Sequence, residues 1–301
     1  MPLYRSSKEI DFRLEDLPRV PRPMRVLMAD PSAFDVASAL NPHMTDASGA
    51  LKKVDRLRAR EQWRALKTEF GKLGLAVDLV TPLDGQPDLV FCANQTLPLP
   101  AQASKDGRAR VVPSNMRWPE RSGEVEHVVA LLASQGYVVE RLATRERLEG
   151  MGDGLWHPGR VLLWAGVGPR SSVEAWSEIA TRFELRVVLL ELVERDFYHL
   201  DTALALLSED TCLWMPDALS APSRALVERL FPRRIEADAH EARTLLACNA
   251  TCPDGRHVVL QRGCTRTNER LRTAGFEVVE VDTDEFLKSG GSVFCMKLLH
   301  G

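Results

Sequence analysis

No stretch of this 301-residue sequence approaches ~18 consecutive apolar residues, so no membrane-spanning helix is expected. A strong charge of either sign is also missing. Lys and Arg number 39 against 42 Asp and Glu, a formal net charge of −3. Without a broad cationic field, neither nucleic acid nor an anionic membrane is an expected partner. Met1 to Asp11 is polar and charged and lacks the apolar core of a signal peptide, so a cytoplasmic protein is expected. The six cysteines are scattered, and only Cys248 and Cys252 are close. No second cysteine or histidine pair sits at zinc-ligand spacing, so no metal is expected. The cysteines read as reduced thiols, most of them serving as small buried apolar side chains. No linker rich in Gly or Ser interrupts the chain. A single domain over residues 24–301 is therefore expected, preceded by an arm over residues 1–23 that ends in the proline-rich run Leu17–Pro23.

What is present is an ordinary globular composition, 45% hydrophobic and 27% charged, with strand-like runs alternating with amphipathic ones. Strands are predicted over Arg25–Met28, Ala76–Val80, Pro87–Cys92, Val161–Ala165, Arg186–Leu192, His257–Gln261 and Glu277–Val281. Helices are predicted over Arg60–Leu73, Gly123–Ser134, Val173–Arg182, Ala221–Leu230 and Asn268–Ala274, with Gly136 and Gly275 as two of the stops. The pattern is α/β, in roughly five strand–helix–strand modules that share architecture without an alignable repeat.

Four segments carry more polar residues and glycine than strand ends need. Ser289–Met296, SGGSVFCM, sets Cys295 near the end of a strand-like run beside two glycines, which permit close backbone approach to a ligand. Cys295 is a candidate nucleophile, although an isolated cysteine is more often simply buried. In Asp196–Thr202, DFYHLDT, an extended backbone would put His199 and Asp201 on one face, and a histidine beside a carboxylate is poised for proton transfer. Glu149–Trp156, EGMGDGLW, places Glu149 and Asp153 on a glycine-rich turn, and paired carboxylates suit a planar guanidinium. Pro87–Asn94, PDLVFCAN, places Asp88 and Asn94 at the two ends of a buried-strand pattern. Taken singly, each has a bland structural explanation.

Together and in this order, the four segments resemble the amidinotransferase and dimethylarginine dimethylaminohydrolase superfamily, the guanidine-modifying enzymes or penteins. The similarity runs from about Arg25 to the C-terminus and takes in DPSAFDV, NPHM, WPERSGEVE and LLWAGVGPRSS. The resemblance implies a five-bladed α/β propeller of ββαβ modules with a small guanidino substrate in a central channel, and no cofactor. It implies Cys295 as nucleophile, His199 as its acid–base partner, Glu149 as the acid orienting His199, and Asp153 as the acid gripping the guanidinium. Asp201 would contact substrate, and Arg121 and Arg170 match positions that hold the substrate carboxylate. Lys297 departs from the pattern, where threonine is common. Asn94 and Asn41 resemble the arginine dihydrolases, which carry arginine through a citrulline-type product to ornithine. Hydrolysis of free arginine is therefore expected first, dimethylarginine hydrolysis second and amidino transfer third. A non-catalytic binding role is the alternative of a different class. Whether the chain forms a homo-oligomer is left open by the sequence.

Overall fold

The computed structural model describes residues 3–301. Its regular elements follow from local chemistry. Helix α1 (Arg56–Lys72) starts where the Asp55 carboxylate accepts from the N–H groups of Leu57 and Arg58, satisfying donors that the first turn leaves free. Its apolar face recurs at helical spacing, and Ala59, Trp63, Leu66 and Phe70 are buried. Each large side chain so buried contributes roughly 1.5–3 kcal/mol. Gly74, at φ +81°, turns the chain out of the helix into the next strand.

The same unit then recurs around five separate sheets. Strand β2 (Arg25–Ala29) crosses over through α1 to pair in parallel with β3 (Ala76–Val80), and the C-terminal β15 (Leu298–His300) pairs antiparallel with β2. In the second sheet β4 (Thr96–Leu99) lies antiparallel to β5 (Arg110–Pro113), which reaches its parallel partner β6 (Val138–Val139) through α2 (Ser122–Ser134). The third sheet has β7 (Gly154–Trp156) against β8 (Leu163–Val167), and α4 (Val173–Arg182) leads to β9 (Val187–Glu191). Between the second and third sheets, α3 (Gly150–Asp153) is a single turn. The fourth joins β10 (Leu204–Leu206), β11 (Thr211–Trp214) and, through α5 (Ala221–Leu230), β12 (Arg233–Glu236). In the fifth, β13 (His257–Gln261) and β14 (Glu277–Val281) flank α7 (Thr265–Thr273), and a lone antiparallel bridge from Thr251 to Val259 stands where the other sheets have a strand. Two further short helices, α6 (Ala239–Thr244) and α8 (Asp284–Leu287), lie in connections. The class is mixed α/β, as the alternation predicts.

Three expectations change. Pro87–Cys92 is a 3₁₀ turn over Pro87–Val90 rather than a strand. Proline at its first position presets φ, and Phe91 N–H closes the turn onto the Asp88 carbonyl. Ser292–Phe294 is likewise no strand, because the Asn249 side chain gathers the N–H groups of Ser292 and Cys295 and curls the segment. His199 and Asp201 do not share a strand face, since Leu200–Thr202 is a 3₁₀ turn closed by the Thr202 hydroxyl on the His199 carbonyl. The segment expected as an arm is tied down within residues 3–20. Strand β1 (Leu3–Tyr4) pairs in parallel with β9, Tyr4 and Leu17 are buried, and Val20 N–H bonds to the Gly159 carbonyl. Among the described residues no helix is long and apolar enough to cross a membrane, and no cluster of metal-ligating side chains is found.

A candidate active site around Cys295

Gly150 decides the shape of the acidic segment. At φ +47° it turns the chain so tightly that a Cβ would lie 2.8 Å from the carbonyl oxygens of Ala93 and Asn94. The single turn α3 then buries Glu149 and Asp153 completely instead of displaying them on a surface loop. Their partners differ. Glu149 Oε2 meets His199 Nε2 at 2.7 Å and Arg170 Nη1 at 2.8 Å, and its Oε1 accepts from Arg117 N–H at 2.9 Å. Asp153 accepts from the Ser171 hydroxyl at 2.6 Å and from Leu200 N–H at 3.0 Å. The Ser171 oxygen in turn accepts from Glu149 N–H at 2.9 Å, so one serine ties the two acids together.

Cys295 is held by a residue that no motif pointed to. The Asn249 amide oxygen accepts from Cys295 N–H and Ser292 N–H, both at 3.1 Å. Its amide nitrogen donates to Cys295 Sγ and to the Asp201 carbonyl, both at 3.2 Å. Cys295 Sγ lies 3.1 Å from Asp201 Oδ2, to which it donates. Asn249 thus joins the two segments that bear Cys295 and Asp201. The only trace it leaves in the sequence is an asparagine inside the apolar run Leu245–Cys252, where a buried amide must find partners for all its hydrogen-bonding groups.

Cys295, His199, Asp88, Asn94, Asn41, Arg121 and Arg170 line one small pocket with Leu40, Met44, Phe91, Tyr198 and Ser289. The cavity is about 10 Å³, room for about one water. Asp201 adjoins it through the thiol. Neither Glu149 nor Asp153 is among the lining residues. Three buried polar atoms here have no partner: His199 Nδ1, Asn94 Nδ2 and Asp201 Oδ1. Buried polar groups are nearly always paired, so three orphans around one thiol mark the place of a polar ligand. The arginines are already anchored, Arg121 on Glu124 (2.8 Å), Asn94 and the Asp88 carbonyl, and Arg170 on Glu149 and the Leu40 carbonyl. Asn41 donates to the Ser289 carbonyl at 2.9 Å, and Tyr198 donates to the Gly290 carbonyl at 2.6 Å.

A family model described as "N,N dimethylarginine dimethylhydrolase, eukaryotic" matches residues 30–299. The chain is 40% identical over 93% of its length to N(G),N(G)-dimethylarginine dimethylaminohydrolase of Mycobacterium tuberculosis, covering 87% of that protein. The chain belongs to this family. Members of the dimethylarginine dimethylhydrolase family are hydrolases of C–N bonds in linear amidines, and this chain is an enzyme of that class. It is also 36% identical over 91% of its length to the bifunctional arginine dihydrolase/ornithine cyclodeaminase ArgZ of Synechocystis sp., but spans only 37% of that longer protein. The structure of the N-terminal domain of ArgZ bound to substrate superposes with a TM-score of 0.83 at 35% identity, covering 91% of this chain and 97% of that one.

The electrostatics of the site follow from burial. Burial pushes the Glu149 carboxyl up, but Arg170, His199 and Arg121 outweigh it and hold the group well below the usual carboxylate range. Glu149 is therefore ionised, which places the proton on His199 Nε2 and leaves the Nδ1 lone pair free when the ring is neutral. Burial raises Asp153 to about 6 and Asp201 to about 7. Asp88 is also raised, by burial, against the opposing charge of Arg121. Cys295 is pushed well above an ordinary thiol by burial and by Asp201 beside it, so the resting group is a thiol rather than a thiolate.

Proposed function

We propose that this enzyme hydrolyses the guanidinium of free arginine and continues through the ureido product to ornithine, ammonia and carbon dioxide. The observation that carries this reading is the orientation of Asn94. Its Oδ1 accepts from Arg121 Nη1 at 3.1 Å, and a guanidinium can only donate, so the amide cannot flip. Nδ2 is left as an unpartnered donor beside the His199 ring. A guanidinium offers it nothing to bond, whereas a citrulline-type ureido group offers a carbonyl oxygen. A site equipped for the first product is suited to attack it again.

In this mechanism Asp88 and the free Oδ1 of Asp201 hold the guanidinium charged and flat, which keeps its central carbon electrophilic. The substrate cation offsets the negative charge that keeps Cys295 protonated. His199 Nδ1 takes the thiol proton, and Sγ bonds to the central carbon. The imidazolium then gives the proton to the departing nitrogen, and ammonia leaves a thiouronium. Water attacks that carbon and passes a proton to His199, the C–S bond breaks, and the ureido product and the thiol are restored. Repeating attack on the ureido carbon, with Asn94 Nδ2 on its oxygen, gives the overall balance of arginine plus two waters to ornithine, two ammonia and carbon dioxide.

Glu149 orients His199, and Asp153 acts behind it by fixing the Leu200 N–H and Ser171. Arg170 and Asn41 meet the carboxylate end of the substrate, while Arg121 sets Asn94. Because the cavity is far smaller than arginine, the segment bearing Leu40 and Met44 must swing out, releasing the bond from Arg170 to the Leu40 carbonyl. We read the five modules as blades of one propeller over residues 24–301, with residues 1–23 as an arm. Support comes from the shared order of their strands and from β15, which completes the first sheet.

Dimethylarginine hydrolysis is the second reading, favoured by the 40% identical relative of that name and by Leu40, Met44 and Phe91 as apolar neighbours for methyl groups. The deciding experiment feeds arginine, dimethylarginine and agmatine to wild type and Cys295→Ser and identifies products by mass. Ornithine with two equivalents of ammonia from arginine supports the first reading. Citrulline as end product overturns it, and dimethylamine from dimethylarginine with arginine untouched establishes the second. Turnover by Cys295→Ser sinks both.

A further inference from the structure

The wall that carries Cys295 has a second face. Phe294 and Lys297, its near neighbours in sequence, line a separate cavity of about 290 Å³ that shares no lining residue with the Cys295 pocket. Its walls are largely apolar, with Pro98, Leu99, Leu155 and Leu206 among them. Lys297 is 0% exposed, its Nζ stands 3.2 Å over the Phe294 ring, and it has no hydrogen-bond partner. An ammonium has three donors and no acceptor, so a buried unpaired one calls for an anion. The one acidic side chain on the cavity wall cannot serve, because Glu209 is already paired with Arg160 at 3.1 Å and Arg19 at 3.4 Å.

We propose that this cavity is a second ligand site, which takes a small organic monocarboxylate by pairing its carboxylate with Lys297 and packing its apolar body against Phe294, Leu155 and Pro98. The volume lies at the lower end of ligand cavities, roughly 300–1,000 Å³, and suits one ring or a short branched chain. Burial also drives the Lys297 amine down to about 7, against the opposing pull of Asp201, Cys92 and Cys295 that face it. A bound carboxylate restores the charged form, so binding above neutrality takes up a proton. The site stands on the cavity and its orphaned amine, whose charge also acts on Asp201 across the wall.

Benzoate is the probe, with neutral benzyl alcohol as control, titrated calorimetrically into the full chain. Benzoate affinity is expected to weaken about tenfold per pH unit above about pH 7, because the free amine must be protonated first. Lys297→Met should lose at least about tenfold in benzoate affinity at about pH 6, together with the pH dependence, while benzyl alcohol binds both proteins alike. Leu206→Trp, which fills the cavity from another wall, should also abolish benzoate binding, so the test does not rest on one variant. Unchanged benzoate affinity in Lys297→Met or benzoate binding that survives Leu206→Trp overturns the proposal, as does wild-type affinity independent of pH, or no wild-type binding at about pH 6.

Discussion

Replacing Asn249 by alanine tests whether the Cys295 segment is shaped from outside itself. The side chain is fully buried and makes four bonds, two of them accepted from the N–H groups of Ser292 and Cys295. Alanine leaves both N–H groups inside the protein without a partner. An orphaned buried donor costs ~1–3 kcal/mol, so the pair costs about 4 kcal/mol, before any term for the lost amide volume. At ~2 °C per kcal/mol, the low end suited to a chain of this length, the melting temperature should fall by about 8 °C. The damage should be local as well as global, because the same residue donates to Cys295 Sγ. Two assays read it: thermal melting, and the rate of Cys295 alkylation by iodoacetamide followed by mass spectrometry. Asn249→Ala should melt early and alkylate at a changed rate, while Asn249→Asp, which keeps the two accepted bonds, should recover most of the stability. A melting temperature within about 2 °C of wild type for Asn249→Ala, with alkylation unchanged, would show that SGGSVFCM holds its own shape.

Three further outcomes are expected. Because Cys295 is held well above the ordinary thiol range, its alkylation in the free enzyme should keep accelerating through about pH 9, and a plateau near neutrality would refute the resting-thiol assignment. Glu149→Gln should lower kcat at least about a hundredfold with a smaller effect on KM, since His199 loses the charge that fixes its tautomer. The Glu149 pKa is depressed on folding. Its contribution to stability is thus present above the unfolded value of ~4.3 and lost as pH falls through the folded one, so the variant's melting temperature should drop less on acidification than that of wild type. Asp153 is shifted the other way, and its ionised form costs stability above about pH 6. Asp153→Asn should melt no lower than wild type at about pH 8 and leave KM for arginine close to wild type, whereas Asp88→Asn should raise KM. A KM raised by Asp153→Asn alone would place substrate on Asp153.

Sequence by itself determined the elements whose periodicity is their own. Val173–Arg182 and Ala221–Leu230 are helices over the predicted spans, and Ala76–Val80, His257–Gln261 and Glu277–Val281 are the predicted strands. The helices are long enough for a 3.6 repeat to separate a buried face from an exposed one, and the strands are short valine-rich runs. Cys295, His199 and Glu149 could be named as candidates from the resemblance of four short ordered segments to the guanidine-modifying enzymes, and the fold brings His199 onto Glu149 and into one pocket with Cys295. The two- to four-residue strands such as β4, β6, β7 and β10 escaped, since no period can be read over so few positions.

Tertiary structure decided what those site residues face. A strand pattern put His199 and Asp201 on one side, yet the 3₁₀ turn after His199 sends one side chain to Glu149 and the other to Cys295. Spacing within EGMGDGLW could not tell which acid meets the His199 ring. That depends on Gly150 and on Ser171, which lies 18 residues beyond Asp153. Asn249 was invisible for the same reason: its four bonds reach 43 to 48 residues along the chain, and a hydrogen bond of that span has no local signature. Lys297 read as a departure from pattern on a short segment, and only the packing around it made it a buried cation without a partner, facing a cavity on the other side of the nucleophile.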